Sequence, residues 1–465
     1  MKAIYQILPA ALILGACTVG PDFQSPTHSG SKWKEGPATA GSQLPDNWWR
    51  LFNDRELTRL VDRALLANND LAAAKARVDT ARALVGVDRA RLFPTLNLNG
   101  SAGIARVSEG VATHNIPAIF PIDLESQHYR GTFDLAYDLD LWGRNKRLLE
   151  ASSAQTAAAQ ELLDSQRLGV ASEVARQYFL LRGLDSQEVV LQDTITSRRN
   201  TLNLQQSKAT AGLIDNLSTS QARTELELAR NDLAMVERQR GAGEHALAVL
   251  CGARPVDFAV AKHPTTGSLP TIRAGLPAAV LNRRPDVRAA EQNLRAANAR
   301  IGVATAAFYP NFSLTTGAGF DALDVKSFLN WENRVLALGA GLTAPIFDGG
   351  SNRSNYQAAI SRRDEALANY RNTLLIALRE VEDCLVDLKG LSHSHIALNQ
   401  ALASASDTQR ITQERYDKGL SSYLEVVEAG RTVLRVQLVI AQIDAQQRIT
   451  LAALAKALGG GWSGK

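Results

Sequence analysis

Few residues in this sequence are arranged to do chemistry. Glu425 and Glu428 stand three apart. On a helix that spacing puts both carboxylates on one face, where they either attract a cation or form an ordinary solvated surface. Asp134, Asp138 and Asp140 fall on alternate positions of a segment that reads as a strand, which puts them on one face of a sheet. His393 and His395 are two apart and point about 200° from each other on a helix, a poor geometry for joint ligation. Cys251 and Cys384 lie outside any CxxC or Cys/His cluster, so a zinc or redox centre is not expected and they read as small buried hydrophobes. There is no glycine-rich phosphate loop, metal-ligand spacing or nucleophile motif. No catalytic residue, metal or cofactor is therefore expected, and an enzyme is improbable.

The elements that carry these residues are more informative. Of the 465 residues, 45% are hydrophobic, 21% charged and 6% aromatic, a globular composition. A net charge of +4 without a basic cluster argues against nucleic acid. Past the N-terminus no apolar run reaches the roughly 18 residues of a membrane-spanning helix, which excludes a polytopic helical membrane protein and leaves a membrane β-barrel open. The first residues read MKAIYQILPAALILGAC: Lys2 as a minimal basic region, then an apolar stretch too short to span. Leu14-Gly15-Ala16-Cys17 resembles a bacterial lipobox. Cleavage after residue 16 would leave Cys17 as a lipid anchor, and Thr18 in place of aspartate favours outer-membrane sorting.

The chain is a duplication. Phe93-Pro94-Thr95-Leu96-Asn97-Leu98 returns as Tyr309-Pro310-Asn311-Phe312-Ser313-Leu314, an offset of 216. Leu141-Trp142-Gly143-Arg144 aligns with Phe347-Asp348-Gly349-Gly350 at 206, and Ala211-Gly212-Leu213 with Lys418-Gly419-Leu420 at 207. One repeat covers 50–255 and the other 270–465, behind a 1–16 signal and a 17–49 lead. The drop in offset assigns the first repeat about ten extra residues within 104–130. All 15 prolines lie at or before Pro345, and none lies between Ile122 and Arg254. Proline costs ~3 kcal/mol inside a helix, so the tracts 122–254 and 346–465 permit very long helices. Each folds back at one Gly-Leu step, with tips near 212–218 and 419–425. Helices of such length need support, and a seam is legible: Val426, Ala429, Val433, Val436, Ile440 and Ile443, matched by Thr219, Ala222, Leu226, Ala229, Leu233 and Val236, alternate at three and four as coiled-coil core positions do.

Between the helical tracts the apolar period becomes two. Strands are expected at about 94–106, 128–142, 309–321 and 333–347. Leu96, Leu98 and Ile104 alternate with Asn97, Asn99 and Ser101, and Phe133, Leu135 and Tyr137 with Thr132, Asp134 and Asp138. About ten alternating residues suit a tilted membrane strand, and equally a half-buried soluble one. Four strands cannot close a pore, and lipid tolerates no open edge. If they lie in a membrane, several chains share one barrel.

Together the lipobox, Leu44-Pro45-Asp46-Asn47-Trp48-Trp49-Arg50-Leu51-Phe52, Arg284-Pro285-Asp286-Val287-Arg288, Ala344-Pro345-Ile346-Phe347-Asp348-Gly349-Gly350 and Arg415-Tyr416-Asp417-Lys418-Gly419-Leu420 resemble the TolC-like outer-membrane efflux proteins, in particular the lipoprotein branch serving RND-type multidrug pumps. The resemblance implies a mainly α fold with a small β part: a long coiled-coil α-barrel, and a 12-stranded β-barrel to which each chain of a homotrimer gives four strands. It implies a passive exit duct for drugs or other small toxic compounds, held in the outer membrane through acylated Cys17 and served by a periplasmic adaptor and an RND-type pump. It implies a periplasmic gate at Glu425, Glu428 and Tyr416, with Gly212 and Gly419 at the hairpin turns. Asp134, Asp138 and Asp140 would face the barrel lumen if Phe133, Leu135 and Tyr137 face lipid. Ser421 and Ser218 depart from residues that some members carry near the latch. A type I secretion outlet shares the fold, and a lipid-anchored coiled-coil adaptor would explain the seams without the strands.

Overall fold

The computed structural model describes residues 18–26, 33–35, 44–106, 108, 124–265, 267–275 and 277–460. Cys17, and most of the segment expected to carry the extra residues, lie outside them. The elements run α1 (Arg55–Ala67), α2 (Asn69–Ala90), β1 (Thr95–Arg106), β2 (Glu125–Asp138), α3 (Arg144–Thr210) and α4 (Asn216–Leu250). They continue with α5 (Pro277–Leu281), α6 (Pro285–Ala306), β3 (Asn311–Ala322), β4 (Arg334–Thr343), α7 (Ser351–Asp417) and α8 (Tyr423–Ala457).

The duplication is visible element by element. α2 and α6 each have 22 residues, β1 and β3 each 12, α3 and α7 each 67, and α4 and α8 each 35. The four long helices stop in the same way. Gly212, Gly252, Gly419 and Gly459 adopt φ of +69°, +62°, +74° and +87°. The next residue donates back five positions each time: Leu213 to Lys208, Ala253 to Ala248, Leu420 to Arg415 and Gly460 to Ala455. This is the Schellman closure, which glycine enters without a Cβ clash.

The chain forms two compact units, and each repeat contributes to both. One comprises 79–158 and 291–369 with the N-terminal residues to Ser25; the other comprises 26–78, 159–290 and 370–465. In the first unit the four strands form one antiparallel sheet in the order β1-β2-β3-β4. Thr95 faces Ala136, Leu135 faces Thr316, and Asn311 faces Thr343. The N-terminal strap packs against α3 and α6. Arg147, with its side chain 6% exposed, pairs with Asp22 at 2.7 Å and Glu150 at 2.8 Å and donates to the carbonyls of Val19 and Gly20. Gly20 passes so close to Gly302 that a Cβ on either would overlap its neighbours.

In the second unit the core gathers Trp48, Leu57, Leu60, Tyr178, Leu247 and Ala452. Asp54 caps α1 by accepting from the amides of Glu56 and Leu57, and it also accepts from the Tyr178 hydroxyl at 2.6 Å. The Arg284-Pro285-Asp286 motif is an anchor. Buried Arg284 forks onto Asp286, pairs with Glu380 at 2.7 Å, and donates to the Ala457 carbonyl at the end of α8. The segment after α4 is strapped by charge. Asp185 accepts from Arg182 and Arg240, both at 2.7 Å, and from the amide of His263 at 3.0 Å. The same two arginines donate to the carbonyls of Ala261 and Val260.

Three readings of the sequence change. β2 ends at Asp138, four residues before the expected end at 142, because the chain turns to start α3. β4 ends at Thr343, before Pro345, which has no N–H to offer a ladder. The two seams differ: Ala222, Leu226, Ala229 and Val236 are buried on α4, whereas on α8 only Val433 is, and Val426, Ala429, Val436, Ile440 and Ile443 are half-buried.

Candidate functional site: the sheet faces and the hairpin ends

The sheet is two-faced. On one face Leu98, Phe133, Ala318 and Leu336 line up across the strands, as do Leu96, Leu135, Thr316 and Leu338. These side chains have no cover: Leu98 is 68% exposed, Phe133 57%, Leu336 82% and Leu338 83%. An apolar surface of this kind is not left to water. The other face carries Asn97, Asn99, Ser101, His128, Arg130, Thr132, Asp134, Asp138, Ser313, Thr315 and Asp321, interleaved with glycines. Asp134 accepts from Asn99 at 2.6 Å and from Thr132 at 3.1 Å, and His128 lies 2.7 Å from Asp321. Asp134 and Asp138 share this polar face with Arg130 and His128, as the alternation requires.

Asp140 does not join them. It lies beyond β2 with φ of +43°. Its carboxylate accepts from the amides of Asn145 at 2.9 Å and Lys146 at 3.0 Å, at the start of α3. A helix N-terminus presents unpaired N–H groups, and an acidic side chain satisfies them. Asp348 does the same for α7, accepting from Gly350 and Asn352, and these amides hold its carboxyl below the usual aspartate range. Aromatic side chains mark this end of the sheet: Trp142 stacks on Tyr309 at 4.6 Å and donates to the Pro310 carbonyl. At the opposite end Phe328 tilts against Phe320, and the Arg334 guanidinium lies 4.6 Å from the Trp331 ring centre.

The hairpin ends lie in the second unit. Tyr416, near the end of α7, donates to buried Gln205 on α3 at 3.1 Å. It lies 5.6 Å from the Tyr423 ring, with the Lys208 ammonium 5.3 Å from its own ring centre. Burial, with Tyr416 and Glu225 nearby, pushes the Tyr423 hydroxyl up to about 12. Glu425 and Glu428 are both exposed, but neither is a free carboxylate. Glu425 completes a capping box with Ser422, accepting from its amide at 3.1 Å. Glu428 pairs with Arg431 at 2.6 Å.

Sequence reasoning missed the residue on which this region converges. Glu225 on α4, with its side chain 6% exposed, pairs with Arg198 on α3 at 3.0 Å and with Arg431 on α8 at 2.5 Å. The chain Arg198–Glu225–Arg431–Glu428 thus ties the first hairpin to the second. It borders a cavity of about 320 Å³ lined by Ser197, Thr201, Gln409, Gln413, Tyr423 and Val426 among others. A signal was present: Glu225 stands three after Ala222 and four before Ala229, on the flank of the seam, where a carboxylate needs a partner.

His395 pairs with Asp444 at 3.1 Å and not with His393. Cys251 and Cys384 are free, and burial raises both thiols, Cys384 to about 11. Among the described residues no cluster of His, Cys, Asp and Glu could hold a metal, and no helix is long and apolar enough to cross a membrane.

Comparison with known proteins agrees with this architecture. The family model described as outer membrane efflux protein matches twice, over residues 60–253 and 276–460. The chain is 33% identical to the solvent efflux pump outer membrane protein SrpC of Pseudomonas putida, over 98% of this chain and 97% of that one. Among solved structures, the outer-membrane channel OprN superposes with a TM-score of 0.89 at 29% identity, covering 96% of this chain and 100% of its own. The CmeC outer membrane channel of Campylobacter jejuni gives 0.89 at 26% identity and 96% of each chain. With a two-faced sheet, paired helical hairpins and a family model that matches both repeats, the chain belongs to the outer membrane efflux protein family, whose members are outer-membrane channels of efflux pumps and not enzymes.

Proposed function

We propose that three copies of this chain close their sheets into one 12-stranded barrel and serve as the exit duct of a tripartite pump, joined to a periplasmic adaptor and an RND-type transporter. The observation that carries this reading is the sheet, apolar on one face, polar on the other, and unpaired at both edges among the described residues. In lipid such edges must be satisfied by another chain. The polar face then lines a wet lumen, with Asp134 and Asp138 in it, and the aromatic residues at the two ends of the sheet sit at the two interfaces. Drugs or other small toxic compounds, the class that includes the solvents named for SrpC, are the cargo. Deleting the gene is expected to raise sensitivity to a panel of apolar drugs and dyes by roughly fourfold or more, a change of at least about 0.8 kcal/mol in effective export. An unchanged panel, with the protein shown to be expressed in the parent strain, would sink the efflux reading.

Cys17 is the proposed lipid anchor. Thr18 lies against Gly143, and the Val19 amide donates to the Trp142 carbonyl. This places the residues next to Cys17 at the aromatic end of the sheet, where an acyl chain can enter the bilayer. Each buried CH₂ adds ~0.8 kcal/mol of membrane affinity. Labelled palmitate is expected to be incorporated by the native chain and lost in Cys17→Ala; label retained in that variant refutes the assignment.

Glu425, Glu428 and Tyr416 are the proposed periplasmic gate. In a trimer the two acids form rings that favour cations. Their partners, Ser422 and Arg431, make them part of the latch as well as of the charge lining. Glu425→Ala with Glu428→Ala is expected to change single-channel conductance and divalent-cation block in planar bilayers. Identical traces from variant and native channels count against a gate at these residues.

A further inference from the structure

The cavity beside Glu225 presents polar groups that the latch does not use. It measures about 320 Å³ and lies between α3 and α4 on one side and α7 and α8 on the other. That is the small end of the ligand-cavity range of roughly 300–1,000 Å³. Its whole lining belongs to the second unit of one chain, so the cavity does not depend on assembly.

Tyr423 carries the argument. It is 8% exposed, and a tyrosine this buried normally spends its hydroxyl on a partner. Here the hydroxyl makes no hydrogen bond among the described residues, yet it is not sealed from solvent. It opens onto the space that Tyr423 lines. The side-chain amides of Gln409 and Gln437, half-buried in the same lining, are also unpartnered among the described residues. Gln413 is not available in this way, because it donates to Asp417 at 3.0 Å.

Charge decides the sign of the occupant. Arg198 and Arg431 spend their guanidiniums on Glu225 and Glu428, so those cations and carboxylates cancel. The remaining charged residue of the lining is Asp193 on α3, which is exposed and has no ion pair among the described residues. An anion would meet Asp193 and no uncommitted cation in the lining. A bare divalent ion needs more carboxylate and carbonyl ligands than this. Val190, Val426, Val433 and Leu434 supply an apolar wall.

We infer that this cavity is a binding site for a small organic ammonium with a short apolar body. Asp193 answers the charge. The oxygens of Gln409, Gln437 and Tyr423 accept from the N–H groups, and the apolar body lies against the valines and Leu434. Such an occupant touches α3 on one hairpin and both helices of the other. It is a second tie between the hairpins, beside the one that Glu225 makes.

The test is a saturation-transfer NMR titration of the full-length protein in detergent, with benzylammonium as the probe. Benzyl alcohol keeps the ring and removes the charge, and benzoate reverses it. Saturable binding of benzylammonium is expected at about 0.1–1 mM, as suits so few atoms. Benzyl alcohol is expected to bind at least about fivefold more weakly, and benzoate not at all. Asp193→Asn is expected to weaken benzylammonium about fivefold, and Tyr423→Phe about threefold, the worth of one hydrogen bond. Gln437→Leu supplies the same comparison if Tyr423→Phe does not purify. Glu425→Ala with Glu428→Ala is expected to leave the affinity unchanged, which separates this cavity from the acidic residues of the gate. Equal affinity in Asp193→Asn, equal affinity for benzoate, or loss of binding in the Glu425/Glu428 variant overturns the site. So does a signal no larger than that from protein-free micelles.

Discussion

Glu225→Gln is expected to unlatch the hairpin ends and raise the conductance of the resting channel severalfold. The substitution keeps the volume and removes one charge. Arg198 and Arg431 then face each other across a site that excludes most water, since Glu225 is 6% exposed and Arg198 16%. Arg198 already lies below the usual arginine range because of burial, a shift that Glu225 opposes and Arg431 deepens. Removing one member of a buried ion pair costs ~3–5 kcal/mol. Arg431 is 41% exposed and can turn to solvent, which reduces the loss to roughly 2 kcal/mol. The lost contacts are those that bind α3 and α4 to α8, so the hairpins are expected to part rather than unfold. Planar-bilayer recordings check the opening, and a double-mutant cycle with Arg431→Gln checks the cause, with a coupling of ~1–3 kcal/mol. Native conductance in Glu225→Gln, or additive single effects, would show that the network does not hold the gate.

The second large effect concerns folding. Asp185→Ala removes the only carboxylate that both Arg182 and Arg240 reach among the described residues. All three side chains are nearly inaccessible, at 2%, 6% and 8%. Arg182 left buried without a carboxylate, Arg240 left with Glu244 alone at 3.3 Å, and the amide of His263 left without its acceptor together cost ~3–5 kcal/mol. Asp185→Asn keeps the acceptor oxygen and is expected to lose less. Because large membrane assemblies unfold irreversibly, the proper measure is a rate. Limited proteolysis is expected to cut Asp185→Ala within 258–265 at least about ten times faster than the native chain, the factor that 1.4 kcal/mol of local opening produces. Equal cleavage rates would mean that the strap is held by the backbone and not by this ion cluster.

Period and repetition made much of the architecture legible. The recurrence of Phe93-Pro94 as Tyr309-Pro310 announces equal helices and strands, and two glycines mark turns that do have left-handed backbone. Periodicity reports which face of an element is apolar, so the two-sided sheet followed from Leu96, Leu98, Phe133 and Leu135. It does not report which polar group on another element lies opposite. Asp140 shares the parity of Asp134 and Asp138, which predicts their face, yet a helix start four residues on claims its carboxylate. Ser422-x-x-Glu425 is a capping signature within the sequence, closed by the same glutamate that the family resemblance implies at the gate. Arg198, Glu225 and Arg431 have no counterparts in the other repeat, because Ala405, Thr432 and Thr224 stand at the equivalent positions. The contacts that join the repeats therefore leave no trace in what the repeats share.

The matched lengths of the helices have a consequence for how such a chain can change. Each added residue rotates everything beyond it by about 100° and advances it by about 1.5 Å. Inserted in α3 alone, it would carry Gln205 away from Tyr416 and turn Arg198 off Glu225. Compensation would need a matching insertion in α4, α7 or α8, so single insertions and deletions are closed to the long helices. The connections between the paired strands differ in length: 18 residues separate Arg106 from Glu125 and 11 separate Ala322 from Arg334. Length variation between descendants of the ancestral repeat has collected there, and grafted epitopes or affinity tags belong in the same two connections.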